Sequence, residues 1–188
     1  MIRLITGSTD PSHQEFLEEH YRLRHEIFVG ERGWSALARP DEREIDAYDT
    51  PQTIYVLAID NSHVVGGYRF LPTSEPHLLQ DHFSHLVDGP VPRGHEIHEW
   101  SRFFIRKDHR GTGLFRHLIG SVPGVCKLLG ITSLTAVIEP DWLPRFDAAT
   151  FGYRVLGPFV QAASMQLAAV RIDIQHAPAP GQAIGWDS

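Results

Sequence analysis

His98-Glu99-Trp100-Ser101-Arg102-Phe103-Phe104-Ile105, with Arg110-Gly111-Thr112-Gly113-Leu114-Phe115 just downstream, sets the frame of this chain. The first run is apolar and aromatic enough for an internal strand, and the second is a glycine turn opening a helix. That helix is expected over Gly113 to Leu129, with Pro123 kinking or splitting it. Upstream, Thr53 to Ile59 and Val64 to Leu71 read as strands joined by the turn Asp60-Asn61-Ser62. Further upstream, Ile2 to Thr6 reads as a strand. Asp10, Pro11 and Ser12 then start a helix to about Val29, with Glu15 three residues after Ser12 as in a capping box. Gly30 and Gly33 are expected to end it. Glu75 to Leu86 reads as a short helix and residues 35–51 as a polar loop with at most one helical turn. Downstream, Ile131 to Ile138, Tyr153 to Leu156 and Met165 to Ile174 read as strands, and Trp142 to Phe151 as a helix. Strands lead and helices are interspersed without strict alternation. The pattern predicts an α/β (α+β) fold with a mixed, mainly antiparallel sheet and helices on both faces. One domain is expected over residues 1–175, followed by a loose tail at 176–188.

Composition narrows the function. Seventeen Lys and Arg against 23 Asp and Glu give a net charge of −6, the wrong sign for non-specific nucleic-acid binding. No apolar run spans a bilayer, and the first seven residues do not resemble a signal peptide. The single cysteine, Cys126, excludes an internal disulfide and a cysteine-rich metal site. A cytoplasmic protein without nucleic-acid or membrane partners is expected. The twelve histidines are scattered, so they are read as solvated surface residues rather than metal ligands.

Three features break the pattern of an ordinary core. Leu17, Tyr21, Arg24 and Phe28 fall on one helical stripe, which puts a guanidinium on the face that should enter the core. The acidic loop with Asp46 and Asp49 is its nearest counter-charge. On position alone, an ion pair at the edge of the core is the preferred account. Glu99 and Arg102 lie in an aromatic strand whose alternation puts Glu99, Ser101 and Phe103 on one face and Trp100, Arg102 and Phe104 on the other. Arg69 sits likewise among apolar neighbours. Finally, Arg110-Gly111-Thr112-Gly113 offers backbone N–H groups at a helix start; structural turn and phosphate cradle suit it equally well. Trp34 and Trp142 serve either as core or as ligand-facing aromatics.

Taken together, Arg24-x-x-x-Phe28-x-x-x-x-x-Trp34, Asp46-x-x-Asp49, Arg69 and Glu99-x-Ser101-Arg102-Phe103 resemble the acyl-homoserine-lactone synthases, the LuxI-type autoinducer synthase family. The resemblance covers roughly residues 15 to 175. It implies the fold of the GNAT N-acyltransferases and a two-part reaction: the α-amine of S-adenosylmethionine attacks an acyl thioester, then its carboxylate displaces methylthioadenosine to close the lactone. No prosthetic group or metal is implied.

Within that resemblance Glu99 is the expected base and Arg102 a catalytic partner, with Arg24, Phe28, Trp34, Asp46, Asp49 and Arg69 binding S-adenosylmethionine. Ser101, Phe103, Phe104, Trp142 and Phe146 would line the acyl and thioester site, which suggests a short, branched or aryl acyl group. Backbone N–H groups from Phe103 to Ile105 would hold the oxyanion. Arg110, Gly111 and Gly113 resemble the GNAT phosphate-binding motif, although Phe115 stands where that motif has a small residue. The stretch Glu31 to Asp49 is similar to the branch that uses acyl-CoA; an acyl carrier protein thioester, with the carrier as partner, is the alternative. An acetyltransferase acting on another amine, or a ligand-binding domain without turnover, are the rival readings.

Overall fold

The computed structural model describes residues 1–6, 11–162 and 165–174. The expected tail and Asp10 lie outside them. The chain divides into two compact units: Met1–Phe70 with Ser101–Leu118, and Leu71–Trp100 with Ile119–Ser188.

In the first unit β1 (Ile2–Thr6) pairs antiparallel with β2 (Ile54–Asp60), and β2 pairs antiparallel with β3 (His63–Pro72). The β2–β3 turn has positive φ at Asn61 and Ser62, the geometry that matches the twist of a tight hairpin. Helix α1 (Pro11–Arg24) begins at Pro11. Ser12 therefore lies inside the first turn and not at the cap, because proline itself is preorganised for a helix start. Beyond Arg24 the helix widens into π-helical turns over His25–Glu31, with Arg32 N–H donating to Ile27 O at 2.9 Å. Gly30 sits within these turns, and Gly33, at φ +70°, is the residue that turns the chain out. Leu17, Leu23, Ile27 and Phe28 pack on Tyr55, Leu57, Ile59 and Phe104, forming the core of this unit. A short 3-10 turn at Ser35–Leu37 is the one helical turn of the acidic loop.

In the second unit β4 (Ile97–Ile105, of which residues 97–100 belong here) pairs in parallel with β5 (Ser133–Ile138). β6 (Gly152–Val155) and β5 pair antiparallel with β8 (Met165–Asp173), as does β7 (Val160–Ala162), a strand too short to register as periodicity. Helix α2 is only Leu78–Asp81, followed by a 3-10 turn at Ser84–Leu86, and α4 is only Leu143–Ala148 after a turn at Pro140–Trp142. Leu79, Leu86 and Ala169 centre a small core here. Helix α3 (Leu114–Leu129) continues through Pro123. Buried Ile119, Val122, Val125 and Cys126 supply roughly 1.5–3 kcal/mol per large side chain, enough to offset the ~3 kcal/mol cost of a helical proline. The result is the mixed, mostly antiparallel α/β fold expected from the sequence.

Candidate functional site

Arg24, at the end of α1, is wholly buried rather than at the core's edge. It forks Asp49 through both terminal nitrogens (2.8 and 3.0 Å) and donates from Nε to Glu44 at 2.5 Å. Arg69, on β3, forks Asp46 (2.8 and 2.6 Å) and donates to Asp49 at 2.8 Å. Arg102, on β4, forks Glu44 (2.9 and 3.0 Å) and donates to Asp46 at 3.0 Å. Each guanidinium thus grips one carboxylate with two bonds and the next with one. The six groups close into a ring of alternating charge, three cations and three anions, all within the first unit.

Local structure assembles this ring. Glu44 N–H donates to Tyr21 O at 3.0 Å, tying the acidic loop to α1. Asp46 turns the loop by accepting from Tyr48 N–H, and its own N–H donates to Asp49. Arg69 stands opposite Tyr55 in the β2–β3 register, and Tyr55 donates its hydroxyl to Asp49 at 2.9 Å. Ser101 accepts from Arg69 Nε at 3.0 Å. Strict alternation would have sent Ser101 and Arg102 to opposite faces. Instead Arg102 has φ +55°, the strand bends there, and both side chains reach the ring.

Electrostatics hold Asp49 ionised. Burial alone would raise the Asp49 carboxyl, but the charges of Arg24 and Arg69 outweigh it and keep its pKa far below the usual range. Burial, then the Asp49 charge, pushes the Tyr55 hydroxyl up, so it stays a donor. His20 was missed by sequence reasoning. It is fully buried, lies 3.4 Å from Arg24, and burial followed by the Arg24 charge lowers its pKa well below normal. His77 is buried too, which corrects the reading of the histidines as surface residues. Glu44 was also missed. The only signal for it was membership of the acidic loop.

The ring has a closed side and an open one. Arg24, Arg69 and Asp49 are sealed, whereas Arg102 keeps 10% and Asp46 16% of its side chain exposed. Among the described residues the NH1 nitrogen of Arg102 donates to no group. Above it the Arg102 guanidinium lies 5.6 Å from the Phe28 ring, on which Trp34 stacks at 5.1 Å. This open side offers a cation and an anion beside the half-buried Trp34, with Phe28 buried beneath it.

The remaining sequence candidates are placed as follows. Glu99 lies in the second unit, 1% exposed, accepting from Leu79 N–H at 3.1 Å. Phe103 stacks on Tyr68 and meets Phe115 edge-on. Phe104 is buried in the core cluster with Leu17, Ile27 and Phe28. Phe146 is the buried centre of an aromatic group in the second unit, with Trp100, Trp142, Phe151 and Tyr153 around it at 5.7 to 6.1 Å. Trp142 is its half-buried member. Gly111 and Gly113 adopt φ near +80°, and Arg110 pairs with Glu31 at 2.7 Å. Cys126 is buried and its thiol is pushed up to about 12, so it offers no thiolate. Among the described residues no cluster of ligating side chains suits a metal ion, and no helix is long and apolar enough to cross a membrane.

The architecture is a mixed, mostly antiparallel sheet with helices, as the strand pairing shows. It is shared, at the level of fold, with a putative N-acetyltransferase from Lactobacillus plantarum at 19% identity and a TM-score of 0.62, over 92% of this chain and 98% of that one. The autoinducer synthase family model matches residues 9–131. An isovaleryl-homoserine lactone synthase of Bradyrhizobium diazoefficiens is 39% identical over 94% of this chain and 84% of its own. The structure of a CoA-dependent acyl-homoserine lactone synthase, BjaI, with SAM and isopentyl-CoA, superposes with a TM-score of 0.89 at 40% identity, over 93% and 83% of the two chains. The chain belongs to the autoinducer synthase family and is an acyltransferase.

Proposed function

We propose that this chain makes an acyl-homoserine lactone for quorum sensing, joining the acyl group of a coenzyme A thioester to the amine of S-adenosylmethionine. The observation that carries the reading is the open side of the charge ring. A paired cation and anion match the carboxylate and ammonium of an amino acid, and the Phe28–Trp34 stack suits a sulfonium or an adenine. Arg102 NH1 would take the carboxylate and Asp46 the ammonium. Arg24 and Arg69, sealed from solvent, act by fixing Asp49, Glu44 and Asp46 and not by touching substrate.

A free α-amine has a pKa of about 8 and arrives largely protonated. Glu99 takes that proton, directly or through water, and the amine then attacks the thioester carbon. Backbone N–H groups of Phe103 to Ile105 stabilise the oxyanion. A second N–H bond then breaks, coenzyme A departs with that proton as its thiol and leaves the amide, and attack of the methionyl carboxylate on the γ-carbon closes the lactone and expels methylthioadenosine. Phe103 and Trp142 contact the acyl group, and Arg110, Gly111 and Gly113 the pyrophosphate. Two observations support a short or branched acyl-CoA: the close-packed aromatic group around Phe146, and the isovaleryl product in the name of the Bradyrhizobium relative. The net charge of −6 opposes an acidic carrier protein.

The test is incubation of the purified protein with S-adenosylmethionine and a panel of thioesters: isovaleryl-CoA, straight-chain and aryl acyl-CoAs, and acyl carrier protein conjugates. Mass spectrometry should detect methylthioadenosine and one acyl-homoserine lactone, fastest with a short or branched acyl-CoA. Thioester consumption without either product would mean another amine substrate. Glu99→Gln is expected to slow acylation by about 100-fold or more with an unchanged circular dichroism spectrum; near-normal turnover removes Glu99 as the base.

A further inference from the structure

The glycine loop between β4 and α3 is braced on two sides, both within the first unit. On one side Arg110 pairs with Glu31 of the π-helical turns at 2.7 Å. On the other, His109 closes a 3-10 turn (Lys107–His109) and reaches Asp60, the last residue of β2. Its Nδ1 lies 2.8 Å from Asp108 Oδ1 and its Nε2 3.4 Å from Asp60 Oδ2. A neutral imidazole carries one N–H, so only the imidazolium donates to both carboxylates. The His109 backbone is tied into the loop: Thr112 Oγ1 donates to its carbonyl at 2.7 Å, between Gly111 and Gly113 with their φ near +80°. Other charges surround this pair of contacts. Arg106 forks Asp108 (2.8 and 3.1 Å) and lies 3.4 Å from His109 Nδ1. From α1, the Glu19 charge acts on Arg106 and its carboxylate meets His63 Nδ1 at 3.1 Å, and His63 stands opposite Asp60 in the β2–β3 register. The bond to Asp108, then that to Asp60, raises the His109 pKa against burial and the Arg106 charge.

We propose that His109 is a positioning residue for the coenzyme A thioester: as imidazolium it holds the loop Arg110 to Gly113 against the end of β2, with the loop's backbone N–H groups set for the pyrophosphate. The inference rests on that loop being the coenzyme A phosphate site. When His109 loses its proton, the remaining N–H stays with Asp108, the shorter contact, and a lone pair faces the Asp60 carboxylate. The brace to β2 then opens. Coenzyme A affinity therefore falls as pH rises through the His109 pKa, and by linkage coenzyme A binding takes up protons in that range. A direct pull of the imidazolium on the phosphates would give a slope of the same sign. The two differ at Asp60, whose charge opposes binding in the direct case and supports it through the brace.

Calorimetric titration of the full chain with coenzyme A, at about pH 6.5 and about pH 8.5, tests this on either side of the titration. The wild-type Kd should rise about threefold between the two, the scale of an exposed ion pair. Asp60→Ala and His109→Gln should each show the weaker affinity at both pH values. The ligand's own ionisation is common to the three proteins and cancels in the comparison. Neither substitution should change the Kd of S-adenosylmethionine, which a general loosening of the fold would. Asp60→Ala that binds coenzyme A as tightly as wild type at the lower pH, or more tightly, overturns the brace. So does a pH slope that survives in His109→Gln, which would move the titration to another group such as His63. Either result, with wild-type binding measurable, leaves the phosphate-site reading intact. A wild-type protein that binds no coenzyme A fells that reading, and the brace with it.

Discussion

Arg102 shows how much one residue is asked to do. Its side chain grips Glu44 and Asp46 while its backbone occupies φ +55°, a conformation that costs a non-glycine residue of order 1–3 kcal/mol. The surrounding ion pairs hold it there. Arg24, Arg69 and Arg102 were each legible as misfits in apolar patterns, because a guanidinium in such a place demands partners. Glu44 was not, since in a run holding Asp41, Glu42, Glu44, Asp46 and Asp49 spacing does not say which carboxylate turns inward. Yet Glu44 is 1% exposed and joins Arg24 to Arg102. Glu44→Gln leaves three cations, two of them fully buried, facing two anions. It should cost ~3–5 kcal/mol of stability, read from the midpoint of urea unfolding; a loss under ~1 kcal/mol would mean that the Glu44 ion pairs do not hold the ring together.

Among the elements, the bend in β4 and the π-helical turns after α1 decide the site. Alternation rules assume uniform backbone geometry, so they could not foresee that Ser101 and Arg102 turn the same way. Nor does periodicity reveal turns widened to an i to i−5 bond, which bring Trp34 onto Phe28. Elsewhere the β2–β3 hairpin is held by close backbone approach. A Cβ on Gly67 would sit 2.6 Å from Val56 O and 2.9 Å from Leu57 Cδ2, whereas one on Gly30 would meet nothing within 4 Å. Gly67→Ala should lose ~2 kcal/mol or more through forced backbone displacement. Gly30→Ala should gain up to ~1 kcal/mol by restricting the unfolded chain. Equal effects of the two in thermal unfolding would contradict the packing described.

At the scale of the molecule, stability carries a signature of buried imidazoles. Burial lowers the pKa of His20, His77 and His98, while in the unfolded chain each titrates near 6.5. Below that pH the unfolded chain binds more protons than the native one, so stability falls as pH drops. His109, raised by its bond to Asp108, contributes with the opposite sign. Asp49, held low by Arg24 and Arg69 against the effect of burial, adds a second loss as pH falls below about 4. His20→Gln removes one of these protons. Between pH 5.5 and 4.5 its unfolding free energy should fall less steeply than wild type by up to ~1.4 kcal/mol per pH unit. Identical slopes would show that His20 is protonated in the native state.

The amino-acid order by itself determined the strands, most of the helices, the family resemblance and the three misplaced arginines. Each of these is written in local periodicity or in the type of residue at a position. What only the tertiary structure decided was the closure of the charges into a ring, which side of it stays open, the burial of His20, and the bond of the Leu79 N–H to Glu99. These depend on distances between segments remote in sequence. They depend equally on one departure from regular geometry, at Arg102, that packing enforces and no local pattern records.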